Sequence, residues 1–321
     1  MKLALAGDTM LGRKVGEAIS ARGPASVVSP DVVAVAREAD LFLLNLECCI
    51  SERGERWRDP RKPFFFRAPP AAVETLVYLG VDCVTLANNH ALDYGPEALL
   101  DTLAHLRSAR VEFVGAGANV EEARAPAVFE AAGLRLAIVG AADYPAEFAA
   151  GDEQPGIAFA DLRAGSPPDW LLRAARDAGI AADAVLVTPH WGPNMLARPL
   201  PEIRSAAAAL VGAGATLVAG HSAHVFQGVQ GRVLYDLGDF VDDYITDPLL
   251  RNDLGLLFLV TLDEQGPTRL EGVPLKLEFC YTRLAAGSEA AWVRRRFREA
   301  CAELGAEVGE ENDRVVVDYR A

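Results

Sequence analysis

The chain is predicted to fold as an α/β protein built on largely parallel strands, and three observations carry that expectation. Short apolar runs suited to buried strands alternate with stretches of helical spacing along most of the 321 residues. Several of these runs end in turns that carry a carboxylate, a carboxamide or an imidazole, which is where open α/β sheets keep their chemistry. No internal repeat, low-complexity linker or composition break divides the chain, so a single unit over residues 1–321 is expected, with segment 255–321 part of it.

Taken in order, Lys2–Ala6 reads as a first strand closed by Gly7-Asp8-Thr9, and Met10–Ser20 has the spacing of a helix. Leu41–Leu46 is a second buried strand and delivers Glu47 at its far end. From Glu52 to Lys62 the chain is polar and basic, with Arg53, Arg56, Arg58, Arg61 and Lys62; this is either a solvated loop or an electropositive lip for an anionic substrate. Phe64–Phe66 is expected to be a short strand, and Pro69-Pro70 to start a helix running through Tyr78. Val81–Leu86 is a buried strand that leads into Ala87-Asn88-Asn89-His90-Ala91-Leu92-Asp93-Tyr94-Gly95, and Pro96 can begin the amphipathic helix that follows, to Ala109.

Val111–Val114 is another strand, and Gly115–Val120 reads as a turn because Val120 stands where a dinucleotide fingerprint needs its third glycine. Val128–Glu130 and Leu134–Val139 are expected to pair. Tyr144–Pro168, rich in Pro, Gly and Asp, has the character of an active-site lid. Trp170–Ala178 is a helix. Ala184–Thr188 is a strand ending in Pro189-His190-Trp191-Gly192. A helix over Pro201–Val211 precedes the strand Thr216–Ala219, which ends in Gly220-His221-Ser222-Ala223-His224. A hairpin turning near Gln230-Gly231, strands over Gly255–Leu262 and Arg269–Phe279, a helix over Glu289–Leu304 and a strand over Val315–Tyr319 complete the reading.

Composition narrows the function. A net charge of −14 argues against nucleic acid or an anionic membrane as the main partner and is compatible with cation binding. Five cysteines without a C-x-x-C pair suggest neither a disulfide framework nor a thiolate zinc site, and a reducing cytoplasm is the expected setting. The apolar N-terminal stretch is too short for a signal sequence, so no membrane anchor is expected.

Asp8, Glu47, Asn89 with His90, His190, and His221 with His224 thus sit at the ends of five apolar runs, and they include four of the five histidines. In a parallel sheet such ends lie along one edge and can converge. Carboxylates, a carboxamide and imidazoles are the donor mixture that first-row divalent metals accept. Two ions about 3.5–4 Å apart, sharing a bridging carboxylate, would suit hydrolytic chemistry.

The motifs Gly7-Asp8-Thr9-Met10-Leu11-Gly12-Arg13, Asn45-Leu46-Glu47, Asn88-Asn89-His90 with Asp93, His190-Trp191-Gly192, Gly220-His221-Ser222-Ala223-His224-Val225-Phe226-Gln227 and Tyr235-Asp236-Leu237-Gly238-Asp239-Phe240 occur in an order that resembles the CapA or PgsA family of poly-γ-glutamate capsule biosynthesis proteins. That family is similar to the calcineurin-like metallophosphoesterases. The resemblance implies a four-layer αββα sandwich. It also implies one metal held by Asp8, Glu47 and His224, a second by Glu47, Asn89, His190 and His221, and Glu47 as the bridge. His90 would be the general acid, oriented by Asp93. Arg13 and Arg67 would clamp an anion, with Asn88 also contacting substrate; Asp239 stands where the family commonly has Asn, and with Asp242 and Asp243 it either binds a substrate ammonium, binds a metal or fills a hydrogen-bonded turn.

Met10 stands where metallophosphoesterases carry the His of Asp-x-His, so one or two ions (Mn, Fe, Zn or similar) are expected. The function implied is a CapA-like metal-dependent hydrolase, foremost of phosphoesters. Processing of a γ-glutamyl polymer or peptide, and a non-catalytic polymer-binding module, are the alternatives; the partner is a small molecule or such a polymer.

Overall fold

In a strand buried on both faces, alternate residues enter different cores, and the strand Lys2–Thr9 shows the consequence. The computed structural model describes residues 1–320. Leu3 and Leu5 enter a core shared with Leu43, Leu136, Ile138 and Leu186, whereas Ala4 and Ala6 enter one shared with Val15, Ile19, Leu99 and Leu103. A third core joins Val139, Val185 and Val187 to Leu171, Ala175, Ala206 and Leu210. Helices, sheet, sheet and helices therefore stack around three apolar layers, which is the four-layer αββα sandwich that the resemblance implied.

The first sheet has ten strands. Lys2–Thr9, Leu41–Leu46, Cys83–Thr85 and Glu112–Val114 run parallel, and Leu254–Asp263 joins Lys2–Thr9 antiparallel, followed by Gly266–Glu278 and Arg314–Asp318. The second sheet has six strands, in which Leu134–Ala142, Ala184–His190, Leu217–Ala219 and Val233–Leu234 are parallel. The polar strand ends thus lie on two facing sheets, not along one sheet edge. Their convergence is a consequence of sheet stacking.

Pairing also moves several boundaries. The first strand continues to Thr9 because Asp239–Val241 adds to its far end, so Asp8 lies inside the strand. The Ala184 strand runs on to His190 because Leu134–Ala142 pairs with it throughout. The first helix starts at Arg13 rather than Met10, since Met10 N is bonded to Val241 O at 2.9 Å and Met10 is fully buried.

Phe64–Phe66 is not a strand; Arg67–Ala68 is, paired with Cys49–Ile50. Gly115–Val120, expected to be a turn, contains the two-residue strand Ala116–Gly117 and leads into a helix capped by Asn119, whose side chain accepts from Glu122 N. The segment expected to act as a lid is largely packed: Phe148, Ile157, Ala158, Ala160 and Leu162 are buried, and Gly156–Ile157 pairs with Ala116–Gly117. A helix over Pro30–Ala36, capped by Ser29, was not anticipated. No described helix is long and apolar enough to cross a membrane.

Candidate metal centre

A glycine lets the first carboxylates meet. A Cβ on Gly7 would lie 1.7 Å from the carbonyl oxygen of Gly238, so glycine admits the crossing at which Asp8 N donates to that oxygen at 2.8 Å. Gly238 itself takes a φ of +76°. The result is parallel register between Asp8 and Asp239, side by side on neighbouring strands. Glu47 is fixed by its backbone N–H, which donates to Thr9 O at 3.0 Å.

Two carboxamides brace this arrangement. Asn45 Nδ2 donates to Asp8 Oδ1 at 2.7 Å, and Asn88 Nδ2 donates to Asn45 Oδ1 and Leu46 O, both at 2.9 Å. Asn88 Oδ1 accepts from His90 N at 3.0 Å. With both ends of its amide engaged and no exposure, Asn88 is an internal strut; the expected substrate contact gives way to that role.

The second sheet supplies the imidazoles. His190 Nε2 lies 3.4 Å from Glu47 Oε1, and His221 Nδ1 lies 3.5 Å from Asp8 Oδ1. His224 Nδ1 lies 3.2 Å from Asp8 Oδ2 but bonds Asp239 Oδ1 at 2.8 Å. Ser222 and His224 have φ of 112° and 58°, left-handed values that non-glycine residues adopt under constraint. Asp236 provides part of that constraint, accepting from Ala223 N and Gly238 N, each at 2.8 Å.

Two groups result, Asp8 with Glu47 and His190, and Asp8 with His224 and Asp239; within each, ligand atoms lie within 4.8 Å of one another. Asp8, rather than Glu47, is common to both. Asp239 enters as a potential ligand, one of the roles open to it in sequence, while Met10 Sδ accepts from Gly12 N at 3.1 Å.

The residues fit a divalent cation. Asp8 Oδ2, Glu47 Oε2, Asn89 Oδ1, His221 Nδ1 and Asp239 Oδ2 are buried without a hydrogen-bond partner among the described residues. Such atoms are costly to leave unpaired, and together they make an oxygen and nitrogen donor set suited to first-row metals. Burial works to raise the Asp8 pKa, but His221 and His224 outweigh it and hold the carboxyl well below the usual range. Burial keeps the Asp239 carboxyl well above that range in spite of His224. Neighbouring carboxylates that cannot both ionise are what a bound cation relieves.

These shifts give the metal-free protein a definite pH dependence. Burial disfavours the His190 and His224 cations, yet Glu47 raises the first and Asp239 with Glu47 raise the second above the ordinary 6.5. Raised histidines stabilise the fold at low pH, and that contribution is lost as pH rises through their folded-state values. Asp242, pushed up to about 6 by burial, acts in the same direction but earlier, its contribution being lost between the ordinary carboxylate range and about pH 6. The lowered Asp8 value acts only below the ordinary carboxylate range, outside this window. Metal-free protein should therefore lose thermal stability as pH rises above the ordinary histidine value of about 6.5, while metal-loaded protein loses less, because ligand deprotonation favours binding. Calorimetry of chelated and reloaded samples measures this; equal slopes would contradict it.

His90 and Asp93 form a second device in the same turn as Asn89. His90 Nδ1 lies 2.6 Å from Asp93 Oδ2, which also accepts from Phe66 N at 2.6 Å, and the Phe66 ring stacks on the imidazole at 3.9 Å. Lys62, one of the basic-loop residues, reaches in: its Nζ lies 2.9 Å from Asp93 Oδ1 and donates to Asn89 O at 2.7 Å, with a side chain 12% exposed. Its composition had placed it in either a solvated loop or a lip. Neither reading separated it from its exposed neighbours.

The two arginines part company. Arg13 stays at the rim of the centre, 3.1 Å from Asp243 Oδ1 and over the Phe66 ring. Arg67 lies over Tyr94, 4.0 Å from its centroid, and donates to Arg53 O at 3.2 Å, so it braces the basic loop instead of facing the centre. A cleft of about 430 Å³ opens beside Asn89 and His190, lined also by Asp143, Tyr144 and Asn194. A larger hollow of about 720 Å³ lies on the basic loop between Arg56, Arg61, Tyr94 and Glu147, away from the expected ligands. Asp143 was missed by sequence reasoning although it ends the strand Leu134–Ala142; its carboxylate accepts from Gly192 N at 3.0 Å, and burial raises its pKa.

Comparison with known proteins places the chain among relatives. A probable polyglutamine synthesis accessory protein of Mycobacterium tuberculosis is 32% identical over 298 residues, covering 84% of this chain and 74% of the relative. Capsule biosynthesis protein CapA of Bacillus anthracis is 30% identical over 288 residues, covering 87% of this chain and 68% of its own length. PGA biosynthesis protein CapA of Bacillus subtilis is 27% identical over 310 residues, covering 91% and 80%. A crystal structure of a hypothetical protein from Thermus thermophilus shares the fold, with a TM-score of 0.51 at 17% identity over 86% of this chain and 99% of that one. The family model described as bacterial capsule synthesis protein PGA_cap matches residues 2–244, a span that contains every residue of the centre, and the chain belongs to that family.

Proposed function

We propose that the chain is a divalent-metal-dependent hydrolase whose reaction is the cleavage of a phosphoester. The observation that carries this reading is the convergence of unpartnered buried donor atoms from Asp8, Glu47, Asn89, His221 and Asp239 in a site that also contains the His90–Asp93 pair. Asp8, Glu47, His190, His221, His224, Asn89 and Asp239 would hold one or two ions. A divalent ion there supplies Lewis acidity, polarising a substrate oxygen and making water nucleophilic at neutral pH.

The chain's own groups do the rest. Asp93 accepts from His90 Nδ1, which leaves Nε2 to deliver a proton to the leaving group. Phe66 fixes the ring plane, and Lys62 ties the Asp93 carboxylate to the backbone of Asn89. Substrate enters through the cleft beside Asn89 and His190. The test is metal analysis of purified protein followed by a panel of phosphoesters; hydrolysis that survives complete chelation removes the reading.

A second reading moves the same chemistry to an amide bond of a γ-glutamyl polymer. It is favoured by the relatives named for capsule or PGA biosynthesis. Assaying γ-glutamyl amides beside phosphoesters separates the two.

Lys62→Met is expected to lower turnover on the order of tenfold to a hundredfold with metal content unchanged, because the acid and a ligand residue lose their common anchor. Stability should fall by about 1–3 kcal/mol, as a buried carboxylate loses a partner. Steady-state kinetics and urea unfolding measure both. Wild-type values would return Lys62 to the solvated loop.

A further inference from the structure

One buried hydroxyl in the centre is unused by the chemistry above. Tyr244 follows the strand Asp239–Val241, and its backbone N–H is held by Asp242 Oδ1 at 2.8 Å. Its ring lies edge-on to His224, with centroids 5.4 Å apart, and 5.8 Å from Phe66, which stacks on His90. The residue therefore packs against both His224 and the ring that covers His90.

Its hydroxyl is buried and has no hydrogen-bond partner among the described residues. Asp8 Oδ2, Glu47 Oε2, Asp239 Oδ2 and Asp242 Oδ2 are likewise unpartnered. The hydroxyl pairs with none of these acceptors, so one buried donor and several buried carboxylate oxygens are left without partners in the same centre. An unpaired buried hydroxyl destabilises the free protein, a penalty that phenylalanine would avoid if packing were the whole purpose of the residue. A tyrosine phenol keeps its proton at physiological pH, so the group is a neutral donor.

We infer that the Tyr244 hydroxyl is a hydrogen-bond donor to an anionic oxygen of the bound ligand, either a phosphoryl oxygen or the oxyanion formed when an amide is attacked. The inference deepens the hydrolase reading and rests on it for its catalytic part. A neutral donor placed beside carboxylates and aimed at a developing oxyanion stabilises the transition state more than the ground state.

The test uses the full chain loaded with manganese, with inorganic phosphate as the probe, comparing wild type with Tyr244→Phe. Metal stoichiometry should be unchanged and Tm unchanged or higher. Phosphate affinity by titration calorimetry should fall roughly tenfold, and kcat on a hydrolysed substrate on the order of 10²-fold. Wild-type phosphate affinity in the variant overturns the inference, as does a wild-type protein that takes up no phosphate. A fall in metal stoichiometry also overturns it, by making Tyr244 a ligand. If wild type binds phosphate but hydrolyses nothing, the hydrolase reading fails while the affinity ratio still decides the role of Tyr244.

Discussion

Asp8→Asn is expected to strip the centre of metal and abolish turnover, with metal affinity falling at least ~10²-fold. Asp8 belongs to both ligand groups, so its charge bears on every ion the site takes. Changes in residues that merely support a metal ligand cost 10–100-fold in affinity or activity, and loss of a shared ligand should reach or exceed the upper end. The substitution keeps the shape of the side chain and an oxygen for Asn45 Nδ2, so the strand should still form. His190→Ala touches one group and His224→Ala the other, and each should reduce the stoichiometry without emptying the site.

Elemental analysis of the three variants beside wild type reads this out. Tm adds an independent measure, since a ligand at a hundred times its Kd stabilises by about 2.7 kcal/mol. Asp8→Asn should lose the difference between loaded and chelated protein. Wild-type metal content in Asp8→Asn would remove the centre as described.

His90→Asn should do the opposite: keep the metal and lose the chemistry. A positioned general acid contributes typically 10²–10⁴-fold, and the contribution depends on how badly the leaving group needs a proton. Alkyl phosphoesters should therefore lose turnover by about that factor, while aryl esters with acidic leaving groups should lose little. Asp93→Asn should show the same dependence on leaving group in weaker form, because it alters the partner 2.6 Å from His90 Nδ1 and not the donor itself. Turnover unaffected across both substrate classes would take the general-acid role from His90.

Much of this centre was legible because its signals are local. Period-two and period-3.6 patterns place strands and helices, and a turn after an apolar run marks a strand end whatever the rest of the chain does. Asp8, Glu47, Asn89, His190, His221 and His224 could all be picked out in that way. Asn88 was picked out too, but its role was misjudged: a buried strut and a substrate ligand look alike in sequence, and only the bonds to Asn45 and Leu46 separate them. Arg67 likewise depended on whether Tyr94 and the Arg53 carbonyl lay within its reach.

By itself the sequence determined the α/β class, the chemistry available at each strand end and the family. Tertiary structure alone decided that two sheets rather than one present those ends, that register sets Asp239 beside Asp8, and that Asp8 is common to both clusters of candidate ligands. It also decided that Lys62 reaches Asp93 and that Tyr244 carries an unpaired hydroxyl. These are contacts between residues far apart in the chain, such as Asp8 with Asp239. They depend on which faces are buried against each other, and burial is a property of the packed layers that no local pattern of residues contains.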